Sequence, residues 1–389
     1  MKAAPPYCGP HGLGLAEAVR AIARRERHWQ SWGPFDGRRA VLTHCARTGI
    51  ALACRLWGLG RDDEALVPAY NCGSEVDVLL RLGLRVRLYR VACDTRIDQD
   101  QVRALCGPRT RLVLVIHYFG WPQHVHGLAQ WCQQRGTYLL EDCALALFSA
   151  GPDGYVGRCG DAAVFSLPKT LPVPDGGVLS LPMETRHDLG RLRPPPWRPL
   201  LRRTLPLLKA RAMRTAETLG LYPLARRLFG RSWLREHVAS NGAPFPDMPA
   251  SYYFDERLVQ RGISRLTAGL LTHVDPVAVK AARRRNYVQL QQGLSGRLGV
   301  CPLLGELPTD VCPLAFPVVV PDRSRWLAAL HARGVPAVGW WAGYHGRLSW
   351  DGFAEAHALK TQVVALPVHQ DITEARIDYI VRCIRDIER

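Results

Sequence analysis

The sequence predicts an α/β protein with a large, doubly wound, mainly parallel sheet domain followed by a smaller C-terminal α/β domain. Three observations predict it. Short apolar runs alternate with helix-period segments through the first half of the chain. One of those runs, LVLVI at 112–116, is continuous and β-branched, as a strand covered on both faces should be. Regular patterning then returns after Pro249, beyond a proline- and arginine-rich stretch that lacks the rhythm.

Taken in order, the elements support this class. Helical spacing occupies 47–58 and 73–82, with strand candidates ALVP (65–68) and RVRLYRV (85–91) beside them. After LVLVI, Val125, Leu128, Ala129 and Cys132 fall at i, i+3, i+4 and i+7, and Gly136 stops that helix. TYLL (137–140) reads as the next strand and runs straight into Glu141 and Asp142. AAVFSL (162–167) and GVLSL (177–181) follow. The segment 191–230 mixes prolines, arginines and leucines and reads as an insertion with one or two short helices. Beyond it, 277–294 suits a helix, 311–350 suits strand, helix and an aromatic loop, and Ile377, Ile380, Val381, Ile384 and Ile387 make a last amphipathic helix. The expected division is a large domain over 1–190, a basic helical insertion over 191–250 and a C-terminal domain over 251–389.

Composition narrows the classes. A 389-residue chain that is 47% hydrophobic can bury a large core. The N-terminal stretch has no long apolar run and no later segment approaches ~18 uncharged apolar residues, so neither a signal peptide nor a membrane span is expected, and a cytoplasmic location is. Twelve cysteines are scattered singly without a C-x-x-C pair, which predicts mostly reduced core thiols and no metal site. The net charge of +17 is concentrated: 13 basic residues against Asp188 and Glu217 between Arg186 and Arg235 give +11 in one stretch. A local basic feature, rather than a nucleic-acid coat, is implied. It reads as a solvated surface, as an electropositive mouth for a phosphorylated substrate, or as membrane-surface contact through 197–230, where Trp197, Leu200, Leu201, Leu205 and Leu208 accompany Arg202, Arg203 and Lys209 but Pro206 interrupts the helix.

The chemistry-bearing residues lie at strand ends. Asp142 closes a buried strand, and Lys169 follows another strand 27 residues later, inside FSLPKTLPVPDGG (165–177). Both should project into one crevice at the carboxyl edge of the sheet. Spacing alone leaves an ordinary ion pair as the reading of the two.

These stretches resemble the DegT/DnrJ family of pyridoxal-phosphate sugar aminotransferases. LLEDCALA is similar to its E-D-A-A-Q-A motif and FSLPKTLPVPDGG to its F-S-x-x-x-K and G-[ED]-G-G segment. CARTGIAL (45–52), LVPAYNCGSEVDVLLRLGL (66–84), HYFGWPQHVHGL (117–128) and ALPVHQDITEARIDYIVRCI (365–384) resemble four further motifs in the same order. The resemblance implies a fold-type-I transferase that binds pyridoxal 5'-phosphate and moves an amino group, with glutamate as donor, onto a keto sugar carried by a nucleotide, as a homodimer. It implies that Lys169 holds the cofactor covalently and shuttles a proton, and that Asp142 pairs with the ring nitrogen. It places the phosphate on the backbone N–H groups of Thr48 and Gly49 at a helix start, with Ser166 adding a hydroxyl. Leu145 stands where the family has glutamine. Cys72 stands where it has a stacking aromatic, with Tyr70 nearby as a substitute. Asp255 before Arg257 stands at an N-x-R pattern that the family donates across its dimer.

Other residues keep two readings. His117 is a structural strand-end histidine or a site group. Trp340, Trp341, Tyr344 and His345 line a substrate mouth or fill the core. Arg283, Arg284 and Arg285 form a solvated helix face or approach the nucleotide. The alternative functions are a pyridoxal-phosphate sugar dehydratase, against which Lys169 argues, and a non-catalytic binding or regulatory protein of this fold.

Overall fold

A computed structural model of the chain describes residues 8–23, 28–186, 189–229, 245–296, 299–341 and 343–388. The part of the insertion at 230–244, with Arg231 and Arg235, lies outside the described residues. Among the described residues of the first half, nine strands form: β1 (Arg38–Thr43), β2 (Glu64–Pro68), β3 (Arg85–Tyr89), β4 (Thr110–Ile116), β5 (Tyr138–Asp142), the small hairpin β6 (Ala150–Gly151) and β7 (Gly154–Tyr155), β8 (Ala162–Ser166) and β9 (Gly177–Pro182). Seven of them make one sheet in the order β1-β9-β8-β5-β4-β2-β3. β9 alone runs against its neighbours; the other pairs in the series β8-β5-β4-β2-β3 are parallel. Crossovers between parallel strands demand helices on the faces. These include α2 (Ala46–Leu56), α3 (Ser74–Arg81), α4 (Gln99–Leu105) and α5 (His126–Arg135), while α1 (Leu15–Ala23) packs on α9 (Arg265–Leu271). Gly136 caps α5 in the left-handed region at φ 70, the stop its position predicts.

The register brings the ends of the central strands together. Ile116 pairs with Asp142, Asp142 with Val164, and Gly177 lies between Ser166 and Thr43. A one-turn helix, α6 (Leu167–Thr170), carries Lys169 immediately beyond β8.

The insertion folds into α7 (Trp197–Thr218) and α8 (Tyr222–Phe229). α7 runs unbroken through Pro206, where a break was expected. Proline removes one N–H and crowds the preceding turn, but Pro206 is exposed, so the carbonyl it leaves free faces water.

The C-terminal part contains α10 (Pro276–Leu294), α11 (Arg323–Ala332), α12 (Ala354–Gln362) and α13 (Glu374–Glu388) around a four-stranded antiparallel sheet. Its strands are β10 (Cys301–Pro302), β11 (Ala315–Val319), β12 (Val338–Gly339) and β13 (Val363–Pro367), in the order β10-β11-β13-β12. Tyr287, Leu290 and Leu294 of α10, Phe316 and Val318 of β11, and Ile377, Ile380 and Ile384 of α13 form its core. No helix among the described residues is long and apolar enough to cross a membrane.

Candidate active site

A cavity of about 250 Å³ opens where the strand ends meet the C-terminal part. Its floor is Ile116 of β4, Asp142 of β5 and Ser166 of β8; Lys169 stands on one side and the start of α2 on another. Leu145, Val338, Gly339, Trp340 and Trp341 supply apolar walls, and Arg47 and Tyr252 stand among its polar lining.

The approach of α2 depends on missing side chains. A Cβ on Gly177 would lie 2.3 Å from the Cys45 carbonyl carbon and 2.5 Å from the Ala46 nitrogen. One on Gly49 would lie 2.9 Å from Val164. Glycine at both places lets the helix sit directly on β8 and β9 with its N-terminus over the sheet edge. Thr48 and Gly49, expected at a phosphate, lie one turn further in. Their N–H groups donate to the Cys45 carbonyl at 3.1 and 3.3 Å, and the Thr48 hydroxyl donates to Leu258. Cys45, Ala46 and Arg47 line the cavity instead. The first residues of a helix have no carbonyl one turn back, so their N–H groups and the helix dipole favour an anion there.

Asp142 is buried, and its Oδ1 accepts from the Ala144 N–H at 2.8 Å. Burial, then the Glu75 carboxylate, push this acid up to about 6, while the Lys169 ammonium, the Ala144 bond and His117 pull it down. Lys169 is half-buried, with Nζ 6.0 Å from the centre of the Trp341 ring. The turn behind it is fixed at both ends. Leu167 N–H donates to Gly176, and buried Asp175 accepts from the Ser264 N–H at 2.9 Å and its hydroxyl at 2.7 Å, and from Thr267. Burial pushes Asp175 up, but bonds from His44, Thr267 and Ser264 hold it below the ordinary carboxylate range.

Arg283 corrects the solvated-face reading. It is buried and donates to the carbonyls of Thr170 at 3.0 Å, Pro313 at 3.2 Å and Leu314 at 3.0 Å, so a side chain of α10 grips the residue next to Lys169. Arg284 also bonds backbone, at Val311, and Arg285 is the exposed member.

His117 is structural. Its Nδ1 accepts from the Gln123 N–H at 2.9 Å, which leaves Nε2 to donate to Glu141 at 2.9 Å. Glu141 further accepts from Gly157, Cys159 and Gly160 N–H groups and faces away from the cavity lining.

The aromatic loop divides. Trp340 and Trp341 line the cavity, whereas Tyr344 and His345 are buried, Tyr344 against His357 at 2.8 Å and His345 against Asp77 at 3.2 Å. Tyr70, the expected aromatic substitute for Cys72, lies behind the wall, stacked on Tyr118 and tilted against Trp341. Asp255 pairs in the open with Arg257 at 2.9 Å.

Two groups were not anticipated. Glu75 lines the cavity and accepts from Cys72, whose thiol sits 2.8 Å away; burial and then Glu75 push that thiol up to about 12, so it is neutral and donates. Lys360 is fully buried and gives its three N–H bonds to the carbonyls of Asn71 (2.5 Å), Gly343 (2.7 Å) and Trp341 (3.3 Å). It thereby pins Trp341, which is held at a positive φ of 52.

A mainly parallel seven-stranded sheet with one reversed strand and a smaller C-terminal sheet make this an α/β fold in which a lysine and an acid line one crevice. Residues 35–188 match the DegT/DnrJ/EryC1/StrS aminotransferase family. The spore coat polysaccharide biosynthesis protein SpsC of Bacillus subtilis (strain 168) is 26% identical over 198 residues, 47% of this chain and 51% of that protein. The dTDP-3-amino-3,4,6-trideoxy-alpha-D-glucose transaminase of Micromonospora megalomicea subsp. nigra is 31% identical over 162 residues, 39% and 43% of the two chains. The chain thus spans about half the length of the curated relatives it matches. The fold extends further. The Helicobacter pylori aminotransferase PseC, involved in the biosynthesis of pseudoaminic acid, superimposes with a TM-score of 0.69 over 99% of both chains at 13% identity. The aminotransferase TlmJ of Streptoalloteichus hindustanus gives 0.63 over 97% of this chain and 91% of that one at 21% identity.

Proposed function

We propose that this protein is a pyridoxal-phosphate-dependent aminotransferase that converts a nucleotide-linked keto sugar to an amino sugar for polysaccharide or natural-product synthesis. One observation carries the proposal: Asp142 and Lys169 line the same cavity as the N-terminus of α2. The residues present fit the cofactor. An anion-favouring helix start approaches without a Cβ in its way, a buried acid stands at the floor and a half-buried amine stands beside flat apolar walls.

When bound, pyridoxal phosphate supplies an electrophilic aldehyde carbon and an electron-accepting ring. Ala46 and Arg47 N–H groups with the Ser166 hydroxyl would hold its phosphate. Asp142 would keep the ring nitrogen protonated, because a carboxylate buried at this depth is stabilised by a cation beside it. Lys169 Nζ would hold the aldehyde carbon and then, once free, move a proton to and from the substrate carbon. Trp340 and Trp341 line the cavity with apolar surface, which excludes water from that proton. Glutamate as donor and a homodimer enter the proposal from the family resemblance.

The test is chemical. Incubated with pyridoxal phosphate and reduced with borohydride, the protein should gain the cofactor's mass on the peptide bearing Lys169, and Lys169→Ala should neither retain it nor form an amino sugar from glutamate and a panel of nucleotide keto sugars. Labelling of another lysine would sink the assignment. A labelled Lys169 with no product from any keto sugar would leave cofactor binding standing and remove the proposed reaction.

A further inference from the structure

α7 shows solvent what a long helix of a folded protein ordinarily hides. Trp197, Leu201 and Leu205 are 66%, 47% and 53% exposed. At about 100° per residue they form one stripe along the helix with exposed Ala212, and Leu208 between them is half-buried against the core. Arg198, Arg202 and Lys209 border it on one side and Arg211 on the other. The opposite side is the docked one: Ala210, Met213 and Arg214 are buried, and Arg214 pairs with Asp371 at 2.9 Å, while buried Thr204 marks one edge of the stripe. The apolar exposure continues through Leu219 and Leu221 into α8, where Leu224 and Leu228 stand exposed beside Arg227. Among the described residues, seven of the fifteen exposed large hydrophobics fall within 197–228, so they are a concentrated feature and not the scatter of an ordinary surface. The only acid in this stretch is Glu217, and it is paired with Arg376.

We propose that α7 and α8 seat the protein on an anionic lipid surface, with the leucines and Trp197 in the headgroup–acyl boundary and the flanking arginines on lipid phosphates. An apolar stripe edged by cations along a helix that carries too much charge to insert is the pattern of an interfacial element. The Arg198 guanidinium lies 5.4 Å from the Trp197 ring, which joins cation and amphipathic aromatic at the end of the stripe. A second copy of the chain is a poorer occupant. Two-fold packing of this face on itself would set Arg198, Arg202 and Arg211 against their equals with no exposed carboxylate between them among the described residues.

The full-length protein should sediment with vesicles of phosphatidylcholine and phosphatidylglycerol at least tenfold more than with phosphatidylcholine alone, and the difference should shrink with added salt. Hydrogen exchange of the unaltered protein should slow across 197–218 when the anionic vesicles are present. Leu201→Glu with Leu205→Glu, and separately Arg198→Glu with Arg202→Glu, should each lower the bound fraction about tenfold with circular dichroism unchanged. Three results would overturn the proposal: unaltered protein that stays in the supernatant, unchanged exchange across α7, or sedimentation velocity in which Leu201→Glu with Leu205→Glu converts a larger species to a smaller one, which would assign the stripe to a second copy.

Discussion

At Asp142 opposing environments meet. Burial and Glu75 raise this acid to about 6, above its ordinary value of 3.8, and Lys169 acts against them. A raised acid contributes stability through its bound proton; that contribution is complete below 3.8 and is lost as pH rises through about 6. A cation beside the carboxylate offsets the loss. The gain in Tm given by pyridoxal phosphate should therefore increase between about pH 5 and about pH 7.5, and Asp142→Asn should flatten that rise while slowing amino transfer roughly 100-fold or more. Glu75→Gln removes the second-largest push, so the midpoint of the rise should move to lower pH; thermal shift measured across pH checks both variants. Asp142, Ser166 and Lys169 were legible in the sequence because each belongs to a short motif at a strand end. Glu75 and Lys360 were not. The first reads as an ordinary opening of α3, and nothing in AEAHALKTQ shows that its lysine points inward.

Elements hold these residues in place through close contacts that leave weak traces in sequence. Arg283 sits on α10, which begins PVAVKAARRRN, and three arginines in a row read as a wet face; only the packing of α10 against the Lys169 turn reveals that the first is buried. Arg283→Lys cannot reach three carbonyls with the same fork, so it should leave buried acceptors unsatisfied at a cost of about 1–3 kcal/mol. Chemical denaturation would measure that loss, and borohydride labelling of Lys169 should slow in the same variant because Thr170 is no longer gripped. Gly177 makes the complementary case. The DGG turn marks a tight bend in the sequence, yet its last glycine is needed for the approach of α2 and not for an unusual φ. Gly177→Ala should push the N-terminus of α2 off the sheet and weaken pyridoxal-phosphate binding about tenfold or more, roughly 1.4 kcal/mol, readable by absorbance titration. The central strands β4 and β8 were legible for the opposite reason: buried on both faces, they carry continuous apolar runs. β1 escaped because RRAVLT is half-buried at the sheet edge and carries no such run.

Several groups join the molecule across the cavity, and among them Asp77 serves three elements at once. From α3 its Oδ2 accepts from the Phe254 N–H at 2.6 Å and from Arg81 at 2.8 Å, and its Oδ1 meets His345 of the aromatic loop at 3.2 Å. Sequence could not show this, since the partners lie 177 and 268 residues away. The consequence reaches the site, because the same helix begins at Ser74 and Glu75 and the neighbouring Tyr252 lines the mouth. Burial pushes Asp77 up, but the Phe254 N–H, Arg81 and His345 together hold it below the ordinary carboxylate range. Its stabilising contribution is therefore present above the unfolded value of 3.8 and is lost as pH falls through the lower folded value. Asp77→Ala leaves a buried N–H and a buried histidine without their acceptor and should cost about 2–4 kcal/mol near neutrality. Asp77→Asn, which keeps the shape and one acceptor, should cost less. Urea unfolding at neutral pH should separate both variants from the unaltered protein, and unfolding in acid, where the unaltered carboxyl is itself protonated, should bring Asp77→Asn and the unaltered protein together. Curves that stay equally far apart at both pH values would mean that the charge at 77 does not hold the C-terminal loop to the sheet domain.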